Sequence, residues 1–248
     1  DHSDSLGSSG RFSNGDVQWM TAGKGVQHSE MFPLLNDDKK NPLEIFQVWL
    51  NLPKKDKMVA PHFKMLWSED IPTLKHQDNN GKTTEIDIIA GKIDNLKASQ
   101  PAPNSWAANE NNEVAVWTIK MEANASYTIP KASFDLSRTL FFYEGDEIEI
   151  DSNKVKSNHS ILLESNENIL IQNGDIEASF LFLQGKPIGE PVVQRGPFVM
   201  NTREEISETI RDYQETQFGG WPWENSDQVH DKSLGRFAKH SDGKEEIK

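Results

Sequence analysis

The sequence has no cysteine. That excludes disulfides, thiolate nucleophiles and thiolate-ligated metals, and it suits a reducing compartment, so a cytoplasmic location is expected. Positive charge is also scarce. Lys and Arg number 26 against 39 Asp and Glu, a formal net charge of -13. An acidic surface repels phosphate backbones and anionic headgroups, so neither direct nucleic-acid binding nor membrane association is expected. No apolar run approaches the ~20 residues that a spanning helix needs. No secretory leader is visible in a chain that opens at Asp1.

What is present is a succession of short strand patterns separated by turns. The 248 residues suffice for one large all-β unit or two small ones. Ser13-Asn14-Gly15-Asp16 is a turn, Val17–Met20 alternates as a half-buried strand, and Thr21–Gly25 is a second tight turn leading into Val26–Glu30. The strongest strand signature is Leu43–Leu50, rich in β-branched and aromatic residues and bounded by Pro42 and Pro53. Residues 54–66 read as a loop, and Glu85–Gly91 as another strand.

Pro101 and Pro103 stiffen the stretch Ala98–Ser105, which is the expected domain boundary. A second strand series follows: Glu113–Met121, Ala125–Ile129, Arg138–Tyr143, Glu147–Ile150, Ser160–Leu163, Ile169–Gln172 and Ser179–Gln184. Thr202 and Glu205 form a capping box that predicts a helix through about Gln217, stopped by Gly219 and Gly220. The expected division is therefore a first domain over 1–97, a second with its helix over 98–224, and a charged, loosely ordered tail over 225–248. Trp19, Trp49, Trp106 and Trp117 are expected in the core, and Trp221 and Trp223 are expected to dock the tail.

His28-Ser29-Glu30 is the main chemical signal. Residues two apart on a strand share a face, so His28 and Glu30 would converge on one side. An imidazole beside a carboxylate suits a divalent first-row metal. On spacing alone, a solvated His and Glu on a surface strand is the favoured reading. His2 falls in a polar turn and is expected to be solvent-exposed and not a ligand. His62, His76, His159, His230 and His240 show no ligand spacing.

The context of that pair is more specific. Gly15-Asp16-Val17-Gln18-Trp19-Met20-Thr21-Ala22-Gly23 leads through Gly25 to His28-Ser29-Glu30. Asp4-Ser5-x-Gly7 precedes it, and Gln47-x-Trp49-x-Asn51-Leu52-Pro53, Pro103–Trp106 and Gly196–Thr202 follow. These segments closely resemble the pirin family, from the first residues to about Gly219. The resemblance implies an all-β bicupin of two antiparallel, jelly-roll-type barrels with a short C-terminal helix. It implies a metal, usually Fe(II), in the first barrel and a metal-free second barrel. The family's ligands are three His and one Glu. His28 and Glu30 match the last two, with Glu30 also placed to accept a substrate proton. The first two lie in an HPHRGFE-type motif that this sequence does not contain, so the first barrel and its site are expected to be incomplete.

By the same resemblance the function is that of a metal-binding protein, either a quercetin 2,3-dioxygenase-type oxygenase acting on a flavonol-like substrate or a metal-dependent redox-sensing regulator that binds a protein partner. A degenerate cupin with no metal role is the third possibility.

Overall fold

A computed structural model describes residues 1–248. It is built almost wholly of antiparallel strands, with one α-helix, and its residues fall into two compact units. One contains 1–68, 102–105 and 189–248; the other contains 69–101 and 106–188. This replaces the expected division at 97 and 224. Residues 69–97 belong to the second unit, because the strand Thr83–Ala90 pairs along Ala115–Met121 in the middle of its main sheet. The helix and the tail belong with the first unit. Of the proline-rich stretch, only 102–105 sits with the first unit, where the Thr21 hydroxyl donates to the Pro103 carbonyl at 2.7 Å.

The second unit shows why its sequence alternates. Its six-stranded sheet runs, edge to edge, His159–Leu162, Ser137–Glu144, Ala178–Gly185, Ala115–Met121, Thr83–Ala90 and Thr73–Gln77. A four-stranded sheet runs Ser126–Ile129, Ile169–Asn173, Glu147–Ile150 and Asn153–Lys156. Along Ala115–Met121, Ala115, Trp117, Ile119 and Met121 are buried while Val116, Thr118 and Lys120 face outward. That period of two sends every second side chain into one core shared by both sheets. Trp117 stacks on Phe182 with centroids 4.6 Å apart, and Phe142 on Phe180 at 4.9 Å. All seven strands expected between 113 and 184 are present.

The first unit is thinner. Its five-stranded sheet runs Glu245–Ile247, Phe237–Lys239, Ser9–Arg11, His2–Asp4 and His28–Glu30. Val17–Thr21 pairs separately with His62–Leu66, a strand inside the stretch expected to be a loop. Only Met65, Trp67 and Ala238, with Phe12 and Phe63 against them, form its buried apolar cluster. The helix Arg203–Thr216 starts at Thr202, whose side chain accepts from the Glu205 amide while Glu205 reaches back to the Thr202 amide. It ends one residue before the expected Gln217, which caps it in the left-handed region.

Two expectations fail here. Leu43–Leu50 forms no strand, and Trp49 is 58% exposed rather than buried. Strand propensity only records a fit to a pleated, half-buried surface, and no neighbouring backbone completes a ladder with this segment. The tail, in contrast, is ordered: two of the five strands in the first sheet, Phe237–Lys239 and Glu245–Ile247, come from it. No helix of the structure is long and apolar enough to cross a membrane.

Candidate metal centre

The site arises from one strand pairing. His2–Asp4 lies antiparallel to His28–Glu30, with His2 opposite Glu30, Ser3 opposite Ser29 and Asp4 opposite His28. Directly opposed residues share a face, as do residues two apart. His2, Asp4, His28 and Glu30 therefore stand on one side of the sheet, and the two serines on the other. Ligand-capable atoms of His2, His28 and Glu30 all lie within 4.8 Å of one another. The His28 Nδ1 is 3.8 Å from the Glu30 carboxylate, and the His2 and His28 rings are 5.8 Å apart.

His2 is thus neither exposed nor in a turn: it is wholly buried, on a strand, beside the two residues that the sequence singles out. The expectation that it is not a ligand candidate is corrected accordingly. Its ring stacks flat on Phe63, with centroids 5.1 Å apart and planes 7° from parallel. Its Nε2 lies 3.3 Å from Asp4 Oδ2, and its Nδ1 lies 3.0 Å from the side-chain amide of Gln18. Asp4 is itself held by the backbone N–H groups of Leu6 and Ser8, both 2.9 Å from Oδ1. The imidazole is therefore fixed from three directions, by a stacking ring, a carboxylate and an amide.

Burial holds the His28 imidazole below its usual pKa, against the opposing pull of Glu30, while His2 pushes it further down and Asp4 pulls it up. A neutral ring keeps a lone pair available at neutral pH. His28, at 38% exposure, and Glu30, at 21%, form the accessible side of the cluster, and His2 its buried side.

The donor set fits a cation. Two imidazoles and one carboxylate on a common face form the combination that binds non-haem iron with positions left open. Gln18 adds a second observation. Its Oε1 is buried with no hydrogen-bond partner. As placed, Gln18 Nε2 donates to His2 Nδ1, and a proton on His2 Nε2 faces Asp4 Oδ2.

Sequence reasoning missed Asp4, Gln18 and Phe63 as well as His2. One signal for the first was available: His2-x-Asp4 repeats the alternation of His28-x-Glu30. His62 lies on the strand His62–Leu66, His76 packs against Tyr127, and His159 is exposed on an edge strand. None of them joins the cluster. His230 and His240 serve the tail instead: His230 Nε2 lies 3.2 Å from the His2 carbonyl, and His240 pairs with Glu246 at 2.7 Å.

Comparison with known proteins agrees with this architecture. The family model described as Pirin matches residues 1–50, and the one described as Pirin C-terminal cupin domain matches residues 116–219. Pirin-1 of Arabidopsis thaliana is 36% identical over 225 residues, covering 88% of this chain and 71% of that protein. A putative quercetin 2,3-dioxygenase of Pseudomonas aeruginosa is 34% identical over 224 residues, covering 88% and 72%. The crystal structure of a quercetin 2,3-dioxygenase from Acinetobacter baumannii superposes with a TM-score of 0.70 at 28% identity, over 88% of this chain and 72% of that one. With an all-β cupin fold and both family models matched in order along the sequence, the chain belongs to the pirin family of bicupins.

Proposed function

We propose that His2, His28 and Glu30 hold a divalent first-row metal, Fe(II) foremost, and that the site serves a dioxygenase reaction on a flavonol-like substrate. The observation that carries the metal is the convergence of three ligand-capable side chains within 4.8 Å on one face of two paired strands. The substrate class rests on relatives named as quercetin 2,3-dioxygenases. An iron centre, when bound, supplies a Lewis acid and open positions for oxygen ligands.

The protein's own part is orientation and proton transfer. Phe63, Asp4 and Gln18 fix the ring of His2 in one orientation. Glu30 stands on the accessible side, where its carboxylate can take the proton of a substrate hydroxyl and leave the more nucleophilic oxyanion. A neutral His28 next to it does not repel a cation.

The test is elemental analysis after anaerobic loading with Fe(II), on the chain and on His2→Ala, His28→Ala and Glu30→Gln, followed by quercetin turnover under oxygen. One metal per chain, lost in each variant, supports the centre. No bound metal in the unaltered chain refutes it and leaves a degenerate cupin. Metal without turnover removes the oxygenase part and leaves the second reading, a metal-dependent regulatory protein with a protein partner.

A further inference from the structure

The second unit contains a cavity of about 200 Å³ that the metal centre does not use. Its apolar lining comes from Trp117, Val114 and Ala115, all buried, and from Ala98, Ala107 and Pro130. Trp117 already donates its indole N–H to the Ala90 carbonyl at 3.2 Å, so it offers the cavity apolar ring surface and no donor. One wall is fixed at the turn Trp106–Ala108. The Trp106 indole donates to the Lys186 carbonyl at 2.8 Å, and the Trp106 carbonyl accepts from the Asn112 side chain at 2.7 Å.

The charged lining is unbalanced. Lys92, Lys97 and Lys131 face two carboxylates, Glu110 and Glu113. Lys97 pairs with Glu110 at 2.7 Å, and Lys92 acts on that same carboxylate from further away. Glu113 is turned to the Ser133 amide at 3.4 Å. Neither Lys92 nor Lys131 has an ion pair of its own. The lining lysines, all exposed, outnumber the lining carboxylates by one on a chain that carries -13 overall.

We propose that this cavity binds a small aromatic monocarboxylate, its ring against Trp117 and its carboxylate at Lys92 and Lys131. The size argument is direct: an apolar cavity of about 150 Å³ holds a benzene ring, so 200 Å³ takes one ring with a single substituent. The charge argument selects an anion over a neutral group, because Lys92 and Lys131 both line the cavity and neither has an ion pair of its own. The site is independent of the metal centre and of the reaction proposed for it.

The experiment is calorimetric titration of the full chain with benzoate, benzyl alcohol and acetate, repeated on the double variant Lys92→Gln/Lys131→Gln and on Ala108→Trp, which fills the cavity from an exposed position. Benzoate is expected to bind at least roughly tenfold more tightly than either probe. The double variant should lose about that factor for benzoate alone, and Ala108→Trp should abolish binding with the thermal transition of the second unit unmoved. Absence of benzoate binding to the unaltered chain overturns the proposal, as does equal binding of benzoate and benzyl alcohol. Binding that survives both variants places the ligand elsewhere and overturns it too.

Discussion

Replacing Arg11 by Met should release the C-terminal tail from the first sheet. Arg11 ends the strand Ser9–Arg11 and is 4% exposed. Its guanidinium has five N–H donors, and all five are used. Nε and Nη2 hold the Asp1 carboxylate at 2.7 and 2.9 Å. Nη1 donates to the Asp231 and Leu234 carbonyls at 3.0 and 2.6 Å, and Nη2 also donates to the His230 carbonyl at 3.0 Å. Asp1 completes the tie by accepting the His230 amide at 2.8 Å. Methionine preserves the apolar stem but deletes every donor and strands the Asp1 carboxylate, which is fully buried. Breaking a buried ion pair by removing one partner costs about 3–5 kcal/mol. At a few degrees per kcal/mol for a unit of this size, the transition of the first unit should fall by roughly 10 °C.

Scanning calorimetry should show that fall with the second unit's transition unmoved, and trypsin should begin to cut at Lys232 and Arg236. Arg11→Met combined with Asp1→Asn should recover part of the loss, because the orphaned charge is gone. The tail also touches the metal-site strand, through His230 on the His2 carbonyl and through the Trp223 indole on the Asp4 carbonyl at 2.8 Å. Metal affinity should therefore fall by about tenfold in the same variant. A shift below about 2 °C, with the tail still protected from trypsin, would refute the assignment of Arg11 as the tether.

Two further outcomes follow from the same unit. Glu246 accepts hydrogen bonds from Trp67, His240 and Lys244 at 3.0, 2.7 and 2.9 Å. Burial alone raises its pKa, but these bonds outweigh that and bring it from 4.5 down to about 2. A folded value below the unfolded one stabilises above pH ~4.5, and that stability is lost as pH falls toward ~2. The whole contribution is at most about 3 kcal/mol, and less after screening of a partly exposed group. Denaturation monitored by tryptophan emission should show the slope in that window, and Glu246→Gln should flatten it; equal slopes in both proteins would contradict the assignment. Gly25 sits at φ +125°, and a Cβ there would lie 2.7 Å from the Phe218 ring, which packs on Tyr213 and Phe198. Gly25→Ala should cost about 2 kcal/mol or more in a urea titration, against a few tenths if Phe218 yields freely.

What could be read from the chain divides between local pattern and strand pairing. The strands of the second unit were legible because each carries its own alternation and its own turns, whatever the distance along the chain to its partner. The capping box at Thr202 and Glu205 is likewise a three-residue signal. The first unit depends on pairings that no local pattern encodes. Ser9–Arg11 pairs with Phe237–Lys239, more than 220 residues away, so a charged tail with few apolar residues supplies two strands of the sheet. The same logic explains the half-read site. His28 and Glu30 announce themselves by spacing within one strand, whereas His2 joins them through its ladder partner Glu30, 28 residues along the chain. Its membership is a property of register: a shift of one residue would carry His2 and Asp4 to the face now held by Ser3. The Leu43–Leu50 segment makes the converse point. It has every local mark of a strand but pairs in no ladder, and the local marks alone do not form one. The proposed metal centre is thus specified at the level of strand pairing, and whatever stabilises the pairing of His2–Asp4 with its neighbours, Arg11 included, also positions the three candidate ligands.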